Sequence, residues 1–161
     1  MKKIILSLVM AAVAIVAGAQ TTYNVRAGVG LTGESTIVPS VMAQCNIPFN
    51  KTSSWIVAPT INLAYNFDET HFELASVNVG RRFILGNGCV FAPKVGLGVG
   101  NGCPDYYYND GFMYGLSADL AFEIRHFVVG LTSFVSFNKA EYWEGDDSKI
   151  GIVSLTLGYK F

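Results

Sequence analysis

The stretch Gly151-Ile-Val-Ser-Leu-Thr-Leu-Gly-Tyr-Lys-Phe161 decides the architecture. One parity is Val153, Leu155, Leu157, Tyr159 and Phe161; the other is Ile152, Ser154, Thr156, Gly158 and Lys160. Successive side chains of a strand point to opposite faces, so this is a strand with a greasy face, an aromatic end and a mostly polar back. A soluble strand this apolar on one side needs a second protein layer over it. A strand facing hydrocarbon does not.

The start of the chain has a different character. Lys2 and Lys3 precede the apolar run Ile4 to Val16, broken only by Ser7, and Ala17-Gly18-Ala19 is a small-residue cleavage motif before Gln20. Residues 1–19 therefore read as a secretory signal peptide, because the run is shorter than the roughly 18 apolar residues needed to span a membrane as a helix. Residues 20–161 form one domain. Without Lys2 and Lys3 it carries 9 basic and 12 acidic residues, a net charge of −3 with no basic stripe. Nucleic-acid binding is thereby disfavoured. Frequent glycines and aromatics with few charges point instead to an exported β-protein.

Seven further segments alternate in the same way: Tyr23–Thr32, Ser40–Phe49, Trp55–Phe67, Glu73–Leu85, Cys89–Gly100, Met113–Arg125 and Phe127–Phe137. With Ile150–Phe161 they make eight, each near the 9–11 residues of a tilted membrane strand. The second, fourth, sixth and eighth segments run into a phenylalanine at or near their ends: Phe49, Phe83, Phe127 and Phe161. In an up-and-down barrel those four rings lie at one boundary, as an aromatic girdle requires. The predicted fold is all-β: an eight-stranded antiparallel up-and-down transmembrane β-barrel behind a cleavable signal peptide.

The two parities sort by polarity. The lipid-facing set includes Val25, Ala27, Val29 and Leu31; Val57, Pro59, Ile61, Leu63 and Tyr65; Phe91, Pro93, Val95, Leu97 and Val99; and Leu116, Ala118, Leu120, Phe122 and Ile124. The opposite parity carries Asn24, Thr60, Asn62, Asn78 and Ser117 together with Arg26, Arg82, Lys94, Asp119, Glu123, Arg125 and Lys160. Those seven charged residues are the predicted interior polar network, paired because an unpaired buried charge costs several kcal/mol. Inward glycines such as Gly28, Gly30, Gly96, Gly98 and Gly100 leave room for long side chains, and eight strands enclose a lumen that side chains fill. Arg81 breaks the pattern near the predicted interface, where a lipid-side charge costs only about 0–1 kcal/mol; a local bulge would re-aim it. Pro59 and Pro93 predict bulges or local loss of pairing.

With its leader, eight alternating segments and the ending Leu155-Thr-Leu-Gly-Tyr-Lys-Phe161, the chain resembles the small eight-stranded outer-membrane β-barrel family, the OmpA/OmpX-like group. Gln20 after the cleavage site is similar to exported proteins of Bacteroidetes-type bacteria. The resemblance implies the outer membrane of a Gram-negative bacterium, a monomeric barrel, short periplasmic turns and longer external loops. It makes Leu155, Leu157, Tyr159 and Phe161 the signal read by the barrel-assembly machinery. It fixes no single activity, since such barrels include adhesins, structural anchors and a few enzymes. No segment follows Phe161, so peptidoglycan anchoring is not expected.

On that topology the external loops are roughly 33–39, 68–72, 101–112 and 138–149, and they hold nine of the twelve acidic residues. The spacing of Glu141, Glu144, Asp146 and Asp147 fits no defined calcium loop, so a solvated acidic surface is the favoured reading. Tyr106, Tyr107, Tyr108, Tyr142 and Trp143 are candidate external contacts; tyrosine and tryptophan equally suit the membrane boundary. Cys45, Cys89 and Cys103 form no metal motif. Cys45 is read as lipid-facing, Cys103 as a loop thiol, and no intrachain disulfide is expected. His71 is the one histidine placed for rim catalysis, without a triad spacing.

The expected function is therefore non-enzymatic, structural or surface-binding through acidic aromatic loops, with no cofactor, no metal and no catalytic residues. The expected partners are outer-membrane lipid, the barrel-assembly machinery and an extracellular protein or glycan, not nucleic acid. The alternatives are a rim-located lipid- or peptide-modifying enzyme, a narrow pore, and a soluble lipocalin-like barrel with an apolar interior.

Overall fold

A computed structural model describes residues 21–32, 36–50, 53–66, 70–103, 111–140 and 148–161. Nine strands follow one another: β1 (Thr22–Thr32), β2 (Ile37–Pro48), β3 (Trp55–Tyr65), β4 (His71–Arg81), β5 (Phe83–Gly86), β6 (Cys89–Cys103), β7 (Gly111–Ile124), β8 (Phe127–Ala140) and β9 (Ser148–Lys160). All neighbouring pairs are antiparallel. β4 and β5 are two segments of one stave, both paired with β6, so the wall has eight staves. β1 pairs with β9 and closes the cylinder. Carrying the registers once round the barrel shifts the chain by about ten residues along β1, the stagger that tilted staves require. Closure leaves no sheet edge along the wall, which hydrocarbon would not tolerate.

The prolines lapse the ladder without shifting it. Gly80 pairs with Lys94 and Phe83 with Phe91 in one unbroken register, while Arg81 and Arg82 fall opposite Pro93 and Ala92 without ladder partners on β6. Proline has no N–H to donate, so the stave breaks there. Opposite Pro59 and Ala58 the β2 ladder skips Cys45 and Asn46 and resumes in register at Ile47. Arg81 thus keeps its outward parity; the register shift in this stave lies lower, between Ile84 and Gly86.

Several strands run further toward the long-loop end than the sequence suggests. β6 continues through Asn101 and Gly102, which pair with Phe112 and Gly111. These residues are turn formers, but pairing with an extended neighbour overrides their local preference. At the opposite, short-turn end, Asn87-Gly88 closes β5 onto β6 with positive φ at both residues (51° and 78°), the two-residue turn that suits a twisted hairpin.

Inside and outside are inverted relative to a soluble protein. Leu155 and Leu157 are 58% and 60% exposed, and outward valines, leucines and phenylalanines cover the wall. Arg26, Lys94 and Glu123 are buried at 0%, 3% and 1%. A soluble lipocalin-like barrel would show the reverse.

Candidate functional site

The lumen has three layers. The middle one is built around Asp119 of β7. Its register partner across the ladder is Lys94 of β6, whose Nζ lies 3.0 Å from Oδ2 as an ion pair without directed hydrogen-bond geometry. From the far wall Arg26 of β1 donates to both oxygens, Nη1 to Oδ1 at 2.9 Å and Nη2 to Oδ2 at 2.8 Å. Such a two-pronged contact is the strongest form of guanidinium–carboxylate pairing. Gln44 of β2 donates through Nε2 to Asp119 Oδ2 (3.0 Å) and to Thr60 Oγ1 (2.9 Å), and Asn24 accepts from Arg26 Nε at 3.2 Å. Arg26 reaches across β9 and β8 because glycines clear its lane. It stands opposite Gly158, and a Cβ on Gly130 would lie 1.9 Å from its Nη1.

The second layer lies toward the short-turn end. Glu123 Oε2 accepts from Lys160 Nζ at 2.6 Å and from Arg82 Nη2 at 3.2 Å. Arg125 is not part of it. It occupies the β7–β8 turn at φ 56° and is exposed, so the predicted network loses this member. The strand alternation ends at Ile124, and a residue in the left-handed turn region no longer obeys the parity of the strand before it.

The third layer, toward the long loops, was not anticipated. Val38, Ala64, Phe72, Leu74, Cys103, Met113, Phe134 and Ile152 form a buried apolar cluster there. Cys103 is 5% exposed within it, not a surface thiol. Cys45 shares the outward parity of its register partner Tyr23 but is 5% exposed, covered rather than lipid-accessible. On β4 polarity is reversed at this level: Phe72 and Leu74 point in while His71 and Glu73 point out. The signal was present in the sequence as large apolar residues on the inward parity; the charges on the same parity masked it. Between the apolar layer and Asp119 lies a cavity of about 20 Å³ bounded by Met42, Thr60, Asn78, Ser117 and Phe134, room for about one water.

The outer surface carries two aromatic bands. Phe49, Phe83, Phe127, Tyr159 and Phe161 are exposed at the short-turn end, and Tyr65, Phe112, Tyr114 and Phe137 at the other. Leu155, Leu157, Tyr159 and Phe161 form one outward row, with Tyr159 and Phe161 in edge contact at 5.0 Å. His71 stacks on Tyr65 (6.0 Å, 13°), and the Tyr65 hydroxyl donates to Glu73. Among the described residues no group of His, Cys, Asp and Glu is arranged to hold a metal. The candidate external contacts Tyr106, Tyr107, Tyr108, Tyr142 and Trp143, the acidic loop residues except Glu73, and residues 1–19 lie outside the described residues.

No protein-family model matches the chain, and no curated protein does. Solved structures do. Neisserial surface protein A superposes with a TM-score of 0.60 at 12% identity, over 87% of this chain and 94% of that one. The outer membrane enzyme PagL gives 0.59 at 17% identity, over 86% and 98%. Ail, the attachment invasion locus protein of Yersinia pestis, gives 0.53 at 17%, over 88% and 97%, in a complex with the heparin analogue sucrose octasulfate. At these identities the likeness establishes the fold: a small closed barrel of the outer-membrane type.

Proposed function

We infer that this chain is a non-enzymatic outer-membrane β-barrel of a Gram-negative bacterium, serving as a rigid mount for contact made by its external loops. The observation that carries the reading is the inverted partition, ion pairs within and leucines without. Only a hydrocarbon solvent makes that arrangement favourable. The short-turn end then faces the periplasm and the long loops face outward, as in other such barrels.

The layered interior supports a mount over a pore. The apolar layer and the Asp119 cluster follow one another across the lumen, so an ion would have to displace both. The inter-strand segments 104–110 and 141–147 supply aromatics, and the four external segments together supply nine acidic residues. Sulfated glycan, the ligand class bound to the Ail neighbour, would be repelled by this charge. A neutral glycan or a protein surface bearing cations fits better. Shortening segments 104–110 and 141–147 should leave heat-modifiable gel mobility intact and abolish adhesion of whole cells to such surfaces; unchanged adhesion would reject a loop-mediated role.

A second reading is favoured by one juxtaposition. The registers place His71 opposite both Tyr65 and Cys103, two residues from Glu73, on a fold shared with an outer membrane enzyme. His71→Ala with analysis of lipid A composition decides it: an unaltered profile leaves the non-enzymatic reading standing.

A further inference from the structure

The outer wall at the short-turn end carries a cation that the described protein groups do not neutralise. Arg81 is exposed on the outward parity of β4, opposite Trp55 on β3. Its guanidinium carbon lies 5.3 Å from the centre of the Phe83 ring, and its Nε donates to Ser54 Oγ at 3.1 Å. Stacking and this bond fix the guanidinium plane. Among the described residues no carboxylate pairs with it: Glu73 lies toward the long-loop end of the same strand, and Asp119 and Glu123 are committed inside the lumen. The exposed cation of Arg125 belongs to the same end. Beside Arg81 runs a row of rings across three staves: Phe83 stacks on Phe91 at 6.3 Å and Phe91 on Phe122 at 4.6 Å.

We propose that this patch is a binding site for an anionic glycerophospholipid of the facing leaflet. Aromatic belts mark headgroup depth, and Arg81 stands between Trp55 and Phe83 of that belt, where a lipid phosphate lies. The two Nη groups offer a planar fork to the phosphate oxygens. The Ser54 hydroxyl, whose oxygen accepts from Arg81, keeps its proton to donate to the same phosphate. The acyl chains run toward mid-height over the outward Val79, Val95, Val77 and Leu97, and the Phe83–Phe91–Phe122 row lies beside the headgroup. A net-negative headgroup is selected over a zwitterionic one because the choline or ethanolamine ammonium of the latter would be held near the Arg81 cation. The inference rests on the membrane reading proposed above.

The test uses the full barrel refolded into vesicles, extracted in mild detergent, and examined by native mass spectrometry for retained lipid. With equal phosphatidylglycerol and phosphatidylcholine, the wild type is expected to retain phosphatidylglycerol preferentially. One arginine near a charged membrane surface is worth about a fivefold change in binding, so Arg81→Gln should lower retention by about that factor. Ser54→Ala should lower it less, and raising the salt should lower it in the wild type. Equal retention of the two lipids by the wild type, or unchanged retention in folded Arg81→Gln and Ser54→Ala, overturns the site. Failure of the wild type to insert, seen as no heat-modifiable band, overturns the membrane reading instead.

Discussion

Replacing Asp119 with alanine removes the single carboxylate on which Arg26 and Lys94 converge. Both side chains are fully buried, so neither cation can turn to water. Glu123 is no substitute, since Lys160 and Arg82 hold it. Breaking one buried pair by deleting a partner costs about 3–5 kcal/mol. Here two cations lose their counter-charge and Gln44 loses an acceptor, so the upper end of that range, about 5 kcal/mol, is expected. Against a total of about 5–15 kcal/mol for a domain, the loss is severe. The same principle predicts the opposite for the set: Arg26→Met, Lys94→Met and Asp119→Leu together leave no charge stranded and should fall within about 1 kcal/mol of wild type. The assay is urea unfolding in vesicles, followed by tryptophan fluorescence and gel mobility. A cost below about 1 kcal/mol for Asp119→Ala, or a triple variant as unstable as the single one, would refute the idea that this carboxylate holds the lumen together.

Leu155→Arg places a charge on the outward wall; hydrocarbon contact predicts a loss of about 2–4 kcal/mol in the same unfolding assay, whereas a water-facing site would change by less than about 0.5 kcal/mol. Gly130→Ala puts a methyl 1.9 Å from Arg26 Nη1 and should cost about 1–3 kcal/mol by forcing the guanidinium off Asp119. In an Arg26→Met background that cost should shrink, because the two positions share one contact; an unchanged cost would place the strain elsewhere.

What was legible in the sequence was whatever obeys the strand period. Val25 to Leu31 and Leu116 to Ile124 read as outward from alternation alone, and Lys94, Asp119 and Glu123 as inward. What failed did so where the period ends or is overridden. Arg125 counts as inward only if the strand continues one residue past Ile124, and the left-handed turn stops it there. The strand ends at Asn101-Gly102 and Gly111 were hidden because cross-strand pairing, not local preference, extends them. The apolar layer of Phe72, Met113 and Phe134 was hidden for another reason. Parity says which face a residue takes but not which side chain it meets across the lumen, and those encounters depend on the stagger of eight staves.

The stagger also explains why the interior is polar at mid-height. Between staves bathed in hydrocarbon, burying apolar surface on the outside yields no driving force for assembly, because lipid is as apolar as leucine. The ladder holds each neighbour to the next but is sequence-blind, so a slip in register must be opposed from within. Arg26 and Asp119 are 93 positions apart in the chain, on the first and sixth staves. Their two hydrogen bonds span β9 and β8, the very staves across which the ends of the chain must meet. A register slip of one residue at the β1–β9 seam would turn Arg26 outward, from a bidentate carboxylate to lipid. The buried charges therefore act less as a source of net stability than as a check that the cylinder has closed on the right partner.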